Sequence, residues 1–483
     1  MAQKKPSSSH KNDSVKIRVG HRKIKAPWWL FVILLVVAGV AVGGYFLYYT
    51  MYSKKPASSS AVSSSSSLNI SSSSVTSVSS SSTTPVSSSS DVSSSSQATS
   101  SSTSSSSLSS SLSSTSEVGD SITFNFIAQG NAKTGDCTYI KAGDNDILID
   151  AGNRVGSASV IESYLDDSSR SGNYVSDGKL EYVIATHAHQ DHIAGFVGKS
   201  SSGPGGKDGI FYHYAIDHLI DFSYYDDSPV IFENTVTSAS AIPTFGSGSS
   251  AKTASVIYQN YVTARSYAVS QGTSWQTAGQ MWASASHTIS LGKNLSMTLL
   301  YNYFYDHTSK EMSGLGSFSF SEQNDDSVSV LFTQGEKNFL FTGDAEEAGE
   351  YSLVKSNALP KVELFKGGHH GSYTANSDAL LSVIQPKLVC ICCCAGNKEY
   401  ASDINHTFPA QESINRIALY TDRVYVTDLG SFTDTSYCVP MNGNIVVAYD
   451  RYSAEQLSFS NNDTKLKDTA WFKANRTTPS SWA

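Results

Sequence analysis

Basic residues are scarce beyond the first fifty-odd positions. About ten of the 34 Lys and Arg lie before Pro56 with almost no acidic residue among them, so the formal charge of −8 conceals a region from Val118 onward near −15. That sign excludes a broad basic nucleic-acid surface; it leaves a local basic groove open. Long apolar runs are equally scarce. There is a single one, at residues 28–51, so this chain cannot form a channel by itself. The six cysteines include no Cys-x-x-Cys pair facing another at zinc-finger spacing. No phosphate-cradling glycine loop and no Ser-His-Asp nucleophile motif is found.

What is present falls into zones. Residues 1–26 are basic, with Lys16, Arg18, Arg22, Lys23 and Lys25 before the apolar run. Residues 27–52 are long enough to span a bilayer and carry Trp28 and Trp29 at one end and Tyr45, Tyr48, Tyr49 and Tyr52 at the other. The charge bias predicts a signal anchor with a cytoplasmic N-terminus and an extracellular remainder. Residues 53–117 are dominated by serine and cannot bury enough apolar area to offset chain entropy. They read as a disordered stalk. Residues 118–455 form the foldable region, and 456–483 read as a C-terminal tail whose Trp471 and Phe472 either dock or fray.

Within the foldable region, short alternating strands begin at Ile122, Phe124 and Phe126, and a buried strand ends just before Thr186. Residues 199–320 read as an insertion rich in Gly, Ser, Tyr and Phe, with helical spacing at Ile257, Tyr261, Ala264 and Ala268. Its Trp275 and Trp282 are expected to pack its own core, with a stacking platform as the alternative. Strands and helices then alternate, which argues for an α/β arrangement. Cys390, Cys392, Cys393 and Cys394 crowd one apolar run and read as buried thiols. A disulfide using Cys137 or Cys438, or a soft-metal site, is the alternative.

One constellation carries chemistry. Thr186 opens the run Thr-His-Ala-His-Gln-Asp-His-Ile-Ala-Gly, which places His187, His189, Asp191 and His192 within six residues after a strand. Residues two apart on an extended segment point the same way, so His187 and His189 can grip one ion while Asp191 and His192 face a second. Downstream, Gly343-Asp344 ends a strand with a carboxylate able to bridge two ions, and Gly368-His369-His370-Gly371-Ser372 follows another. Two divalent ions would acidify a water for hydrolysis.

The His187-to-His192 run resembles the signature of the metallo-β-lactamase superfamily. Together with Ile149-Asp150-Ala151-Gly152, Asn324-Asp325-Asp326-Ser327, Gly343-Asp344-Ala345 and His369-His370-Gly371-Ser372, it is similar to the hydrolase domain of the ComEC-family DNA-uptake proteins and their stand-alone relatives. It is also similar in outline to the phosphorylcholine esterases of Gram-positive walls. The resemblance implies an αββα sandwich holding two divalent ions, Zn²⁺ first and Mn²⁺ or Fe²⁺ as alternatives. It implies His187 and His189 on one ion, Asp191 and His192 on the other, and Asp344 between them. One of His369 and His370 would complete the second site and the other would serve as proton donor, with Asp191, His369 and His370 as the catalytic group. Asp150 is expected to orient a ligand histidine. Asn324 stands where many superfamily members have a histidine, with His287 and His307 nearby as substitutes or plain surface residues. Phe408-Pro409 stands where the branch has His-Pro. The implied activity is cleavage of a phosphodiester or phosphate ester in a cell-wall polymer, a nucleic acid or a small phosphoester, with extended nucleic-acid binding disfavoured by the acidic surface. A catalytically silent binding module and an amide or thioester hydrolase are the alternatives.

Overall fold

The computed structural model describes residues 121–200, 203–204, 206–223, 237–242, 254–284, 286–307, 322–450 and 455–483. The expected basic segment, membrane span and serine stalk, residues 1–117, lie outside them, as does part of the 199–320 stretch. Among the described residues no helix is long and apolar enough to cross a membrane.

The first sheet is built around β1 (Ile122–Phe126), β2 (Thr138–Ala142), β3 (Asn145–Ile149) and β4 (Lys179–Ile184). Beyond a small pair, β5 (Lys199–Ser200) and β6 (Gly203–Pro204), it continues with β7 (Ala215–Asp221) and β8 (Ser274–Thr277). The second sheet contains β9 (Thr288–Gly292), β10 (Leu295–Leu299), β11 (Val330–Gln334), β12 (Lys337–Phe341), β13 (Leu364–Lys366), β14 (Leu388–Ala395), β15 (Val424–Leu429) and β16 (Val439–Pro440). The chain returns to the first sheet through β17 (Ile445–Tyr449) and β18 (Gln456–Phe459), giving the order β18-β17-β1-β2-β3-β4-β7-β8.

The two sheets face each other through aromatic side chains. Phe124 of β1 lies 4.8 Å from Phe339 and 5.6 Å from Phe341, ring centre to ring centre. The period-two pattern of β1 explains this: Phe124 and Phe126 enter the inter-sheet core, while Asn125 accepts a hydrogen bond from the Tyr164 hydroxyl on the opposite face. Helices α1 (Ser157–Leu165), α2 (Gln190–Val197) and α3 (Val256–Ser270) bury Ile161, Phe196 and Tyr261 in the core of the first sheet. Helices α4 (Glu347–Ser356), α5 (Asp378–Ile384), α6 (Gln411–Ile417) and α7 (Ala470–Asn475) cover the second. The layers are αββα.

The fold corrects one detail of the sequence reading and decides another that it left open. Residues 199–320, set apart as an insertion, supply β7 and β8 to the first sheet and β9 and β10 to the second. Their polar, glycine-rich composition hides strands that are edge or near-edge and half exposed. Residues 455–483 dock rather than fray: β18 pairs with β17, and Phe472 and Trp482 are buried against the second sheet. Trp275 and Trp282 are internally engaged. The Trp275 indole donates to buried Asp221 at 2.7 Å, and the Trp282 ring lies tilted against His287, 3.9 Å centre to centre.

All eight residues of β14 are buried, as expected of a parallel strand covered on both faces. Cys390 and Cys392 belong to the inter-sheet core, and Cys393 to the helix side. Cys394 forms a disulfide with Cys438, while Cys137, Cys390, Cys392 and Cys393 are free and buried. Cysteine here fills space as a small hydrophobe at three of the four positions.

Candidate metal centre

The site forms where parallel strands of both sheets end. β3 runs into Asp150, β4 into Thr186 and the histidine run, β12 into Gly343-Asp344, and β13 into Lys366 and the His369-His370 turn. Carboxyl ends of parallel strands are where open α/β folds leave a crevice.

Asp150 takes a left-handed conformation, φ 60°, tolerable for Asp because its short side chain bonds locally. Its carboxylate accepts from the Thr186 amide and hydroxyl, each at 2.8 Å, and its Oδ2 lies 2.7 Å from His192 Nδ1. The opposite nitrogen of His192, Nε2, then points at Asp344 Oδ2, 3.0 Å away. Helix α2 approaches this turn closely. The Gly195 amide donates to the Ala151 carbonyl at 3.0 Å, and a Cβ on Gly195 would meet that oxygen at 2.2 Å. The Ile-Asp-Ala-Gly turn and the terminal glycine of the histidine run are thus two halves of one contact.

His369 and His370 are both left-handed, φ 45° and 53°, which costs about 1–2 kcal/mol for each non-glycine residue. The turn is held by its surroundings. Asn376 bonds the Gly368 amide at 2.9 Å and the Gly368 carbonyl at 3.0 Å, and the two amides of Asn376 and Ser377 donate to Glu350 at 2.7 Å each. The conformation separates the two imidazoles. His370 is fully buried, with Nε2 at 3.1 Å from Asp344 Oδ2 and 3.3 Å from Asp191 Oδ2. Its Nδ1 lies 2.8 Å from the Cys392 carbonyl and 3.1 Å from Asp136. His369 instead lines an open cavity of about 390 Å³ with His189, Gln190, Asp191 and Tyr400. Its Nδ1 is 3.2 Å from Glu346, and its Nε2 is 3.9 Å from Asp344.

Ligand atoms of Asp191, His192, Asp344 and His370 all lie within 4.8 Å of one another. Two carboxylates and two imidazoles at that spacing suit one divalent transition ion. His187 Nε2 and His189 Nδ1 meet at 3.0 Å beside them, a second pair of nitrogen donors. Burial, reinforced by neighbouring histidines, lowers the pKa of His187 well below its usual value. Burial also lowers that of His189, against the pull of Asp191. Both therefore favour the neutral form a metal requires. Burial opposes charge on His192 and His370 too, but Asp344 with Asp150 in one case and Asp136 in the other outweighs it and raises both. Burial would likewise raise Asp191 and Asp344, yet the surrounding histidines hold both low. Four buried carboxylates, Asp136, Asp150, Asp191 and Asp344, face one buried ammonium, Lys366. Without a metal the raised His192 and His370 supply further positive charge to these carboxylates; a divalent ion, which takes imidazole in its neutral form, would replace the protons they carry. The residues fit the implied ions.

Asp136, Asp150 and His192 form an adjoining group behind these ligands. Asn324 donates to Glu346 Oε1 at 3.0 Å, the oxygen that also faces His369, so it reaches the site through two side chains. His307 stacks on Tyr303 at 4.0 Å and His287 packs at a tilt against Trp282; neither joins the cluster. His406 lies 3.0 Å from Asp403, also apart from it.

Sequence reasoning missed four contributors. Asp136 sits in a loop without strand pattern and pairs closely with Lys366. Lys366, which reaches the Gly343 carbonyl at 3.1 Å, is the lone charge ending a buried strand, and that was its readable signal. Glu346 orients His369. Tyr400 donates its hydroxyl to Asp191 at 3.1 Å from a distant loop that no local pattern marks.

Residues 130–198 match the family model described as the metallo-beta-lactamase superfamily. That segment of the domain is similar to the superfamily. The chain also resembles Recombination protein 2 of Haemophilus influenzae, 37% identical over 68 residues, a match spanning 14% of this chain and 8% of that protein's length. Among solved structures, the metallo-beta-lactamase fold protein YhfI from Bacillus subtilis is 10% identical, with 65% of this chain and 98% of that one covered at a TM-score of 0.32. A diphosphatase of the PhnP family is 9% identical, with 68% and 98% covered and a TM-score of 0.29. The matched segment of the family model spans the Asp136 loop, Asp150 and the whole histidine run.

Proposed function

We propose that this chain is a membrane-anchored, extracellular, binuclear-metal hydrolase that cleaves phosphodiester or phosphate-ester bonds in a wall polymer or small phosphoester. The observation that carries the reading is the buried cluster of Asp191, His192, Asp344 and His370 beside the His187–His189 pair. When bound, two divalent ions acidify a water and stabilise charge that builds on the substrate. Zn²⁺ is the expected metal, with Mn²⁺ or Fe²⁺ as alternatives. A match to a protein named for recombination is in keeping with a phosphodiester substrate. Membrane attachment and the external location rest on the apolar run at residues 27–52 and the basic residues before it.

The chain's own groups divide the work. Asp150 and Asp136 hold the far sides of His192 and His370 and so fix where their other nitrogens point. Lys366 offsets part of the charge of Asp136 and Asp344. His369 faces the cavity with Nδ1 held by Glu346 and Thr374, which leaves Nε2 toward the reacting centre as proton donor for the leaving oxygen. Tyr400 fixes Asp191 Oδ2 at the cavity wall.

The test is elemental analysis of the full chain with assays on bis-p-nitrophenyl phosphate and nitrocefin, using Asp344→Ala as control. Close to two metal equivalents and phosphodiesterase activity that disappears in the variant are expected. Nitrocefin turnover without phosphodiester cleavage would transfer the site to amide chemistry. No metal and no turnover after Zn²⁺ and Mn²⁺ are supplied would leave a silent binding module.

A further inference from the structure

A second cavity, of about 620 Å³, opens on the other side of the loop that carries Tyr400. Its volume lies in the range of small-molecule sites. Three segments build it. The loop after β14 contributes Gly396, Ser402 and Asp403; the stretch after β15 contributes Ser431, Phe432 and Tyr437; helix α7 of the docked C-terminal region contributes Trp471 and Asn475. The first two segments are joined by the Cys394–Cys438 disulfide. Gly396 is left-handed, φ 79°, and a Cβ there would meet Trp471 Nε1 at 2.3 Å, so only glycine lets the indole edge seat against the strand end.

The lining chemistry narrows the ligand. Three aromatic rings stand among hydroxyls, one amide and one carboxylate. Among the described residues no Lys or Arg lines the wall, which excludes a phosphate or other anion as the preferred occupant. An ammonium is disfavoured as well. Lys398 sits 5.4 Å from the centre of the Phe432 ring and Arg476 sits 4.6 Å from that of Trp471, so two of the three rings already carry a cation. What fits rings beside hydroxyl, amide and carboxylate partners is a neutral, polyhydroxylated ring: apolar C–H faces against the aromatics, hydroxyls toward Ser431, Asp403 and Asn475.

We propose that this cavity is a sugar-binding subsite. The loop from Gly396 to Ile404 separates it from the metal centre, with Tyr400 facing one cavity and Ser402, Asp403 and Ile404 the other. A polymer with its phosphoester at the metals and a neutral glycosyl unit in this cavity would lie across that loop. The placement of the phosphoester rests on the hydrolase reading above; the sugar site does not.

The experiment keeps the two apart. The full chain carrying Asp344→Ala, in a detergent without a sugar headgroup, is titrated calorimetrically with maltotetraose, cellotetraose and chitotetraose, and with tetramethylammonium. Saturable binding of at least one oligosaccharide is expected. Binding should weaken by about ten-fold or more in Tyr437→Ala or Phe432→Ala, side chains that are exposed or half-buried and whose loss leaves the core in place. Circular dichroism melts check that these variants fold. Absence of binding by all three oligosaccharides overturns the proposal, as does binding that both substitutions leave unchanged. Binding of tetramethylammonium alone would make the cavity an ammonium cage and overturn it equally. Turnover of bis-p-nitrophenyl phosphate by the unsubstituted chain reads the metal site alone, so a failed hydrolase and a failed sugar site are told apart.

Discussion

His369 and His370 differ in nothing but one step along the chain, yet they stand in different environments. His370→Gln removes a buried donor and is expected to lower bound metal by about one equivalent. His369→Gln is expected to keep the metal and lose about 10²-fold in kcat, the scale of one proton donor. Elemental analysis beside steady-state kinetics separates the two. Lys366 is the buried ammonium beside Asp136 and Asp344, and Lys366→Met takes that charge away from both carboxylates. In the chelated protein this should cost about 3–5 kcal/mol, read by denaturant unfolding in EDTA. Glu350 gives a pH signature. Burial outweighs its two backbone hydrogen bonds and raises its carboxyl to about 7. Between the ordinary value near 4.5 and about 7, the folded protein binds a proton the unfolded chain has released, so stability is highest below that window and falls as pH rises through it. Asp428, pushed up to about 7 by burial, acts in the same direction. Glu350→Gln should therefore shrink, without abolishing, the drop in melting temperature between pH 5 and pH 8.

Elements were legible to the degree that their side chains alternate or bury completely. β1 and β14 announce themselves, one by Phe124 and Phe126, the other by eight consecutive apolar residues. The edge strands β8 and β9 do not, because Ser274, Gln276, Thr288 and Ser290 show no buried stripe. The ligands carried by one contiguous motif were readable; Asp136 and Tyr400 were not, because only the tertiary fold brings them within reach of Asp191 and His370. Helix α2 shows how tightly motif and packing are bound together. In Gly195→Ala the new methyl meets the Ala151 carbonyl, and the helix start that carries Asp191 and His192 must shift. A loss of about 1–3 kcal/mol is expected by chemical denaturation, accompanied by reduced metal content.

At the scale of the molecule, the C-terminal region belongs to the fold. Phe472 is fully buried against the second sheet and lies 5.8 Å from Trp482. Phe472→Ala should cost about 3–5 kcal/mol and lower the melting temperature by several degrees.

The ligands themselves come from both halves of the sandwich. Asp191 and His192 follow β4 of one sheet, while Asp344 and His370 follow β12 and β13 of the other. An ion held by all four therefore works as a rivet through two plates. Its binding energy is counted once for chemistry and again for cohesion, since the unfolded chain offers no such cage. Surroundings poor in transition metal would then leave the site idle and the chain easier to open, and so more exposed to proteases. Metal supply would set how long each copy survives as well as how fast it works.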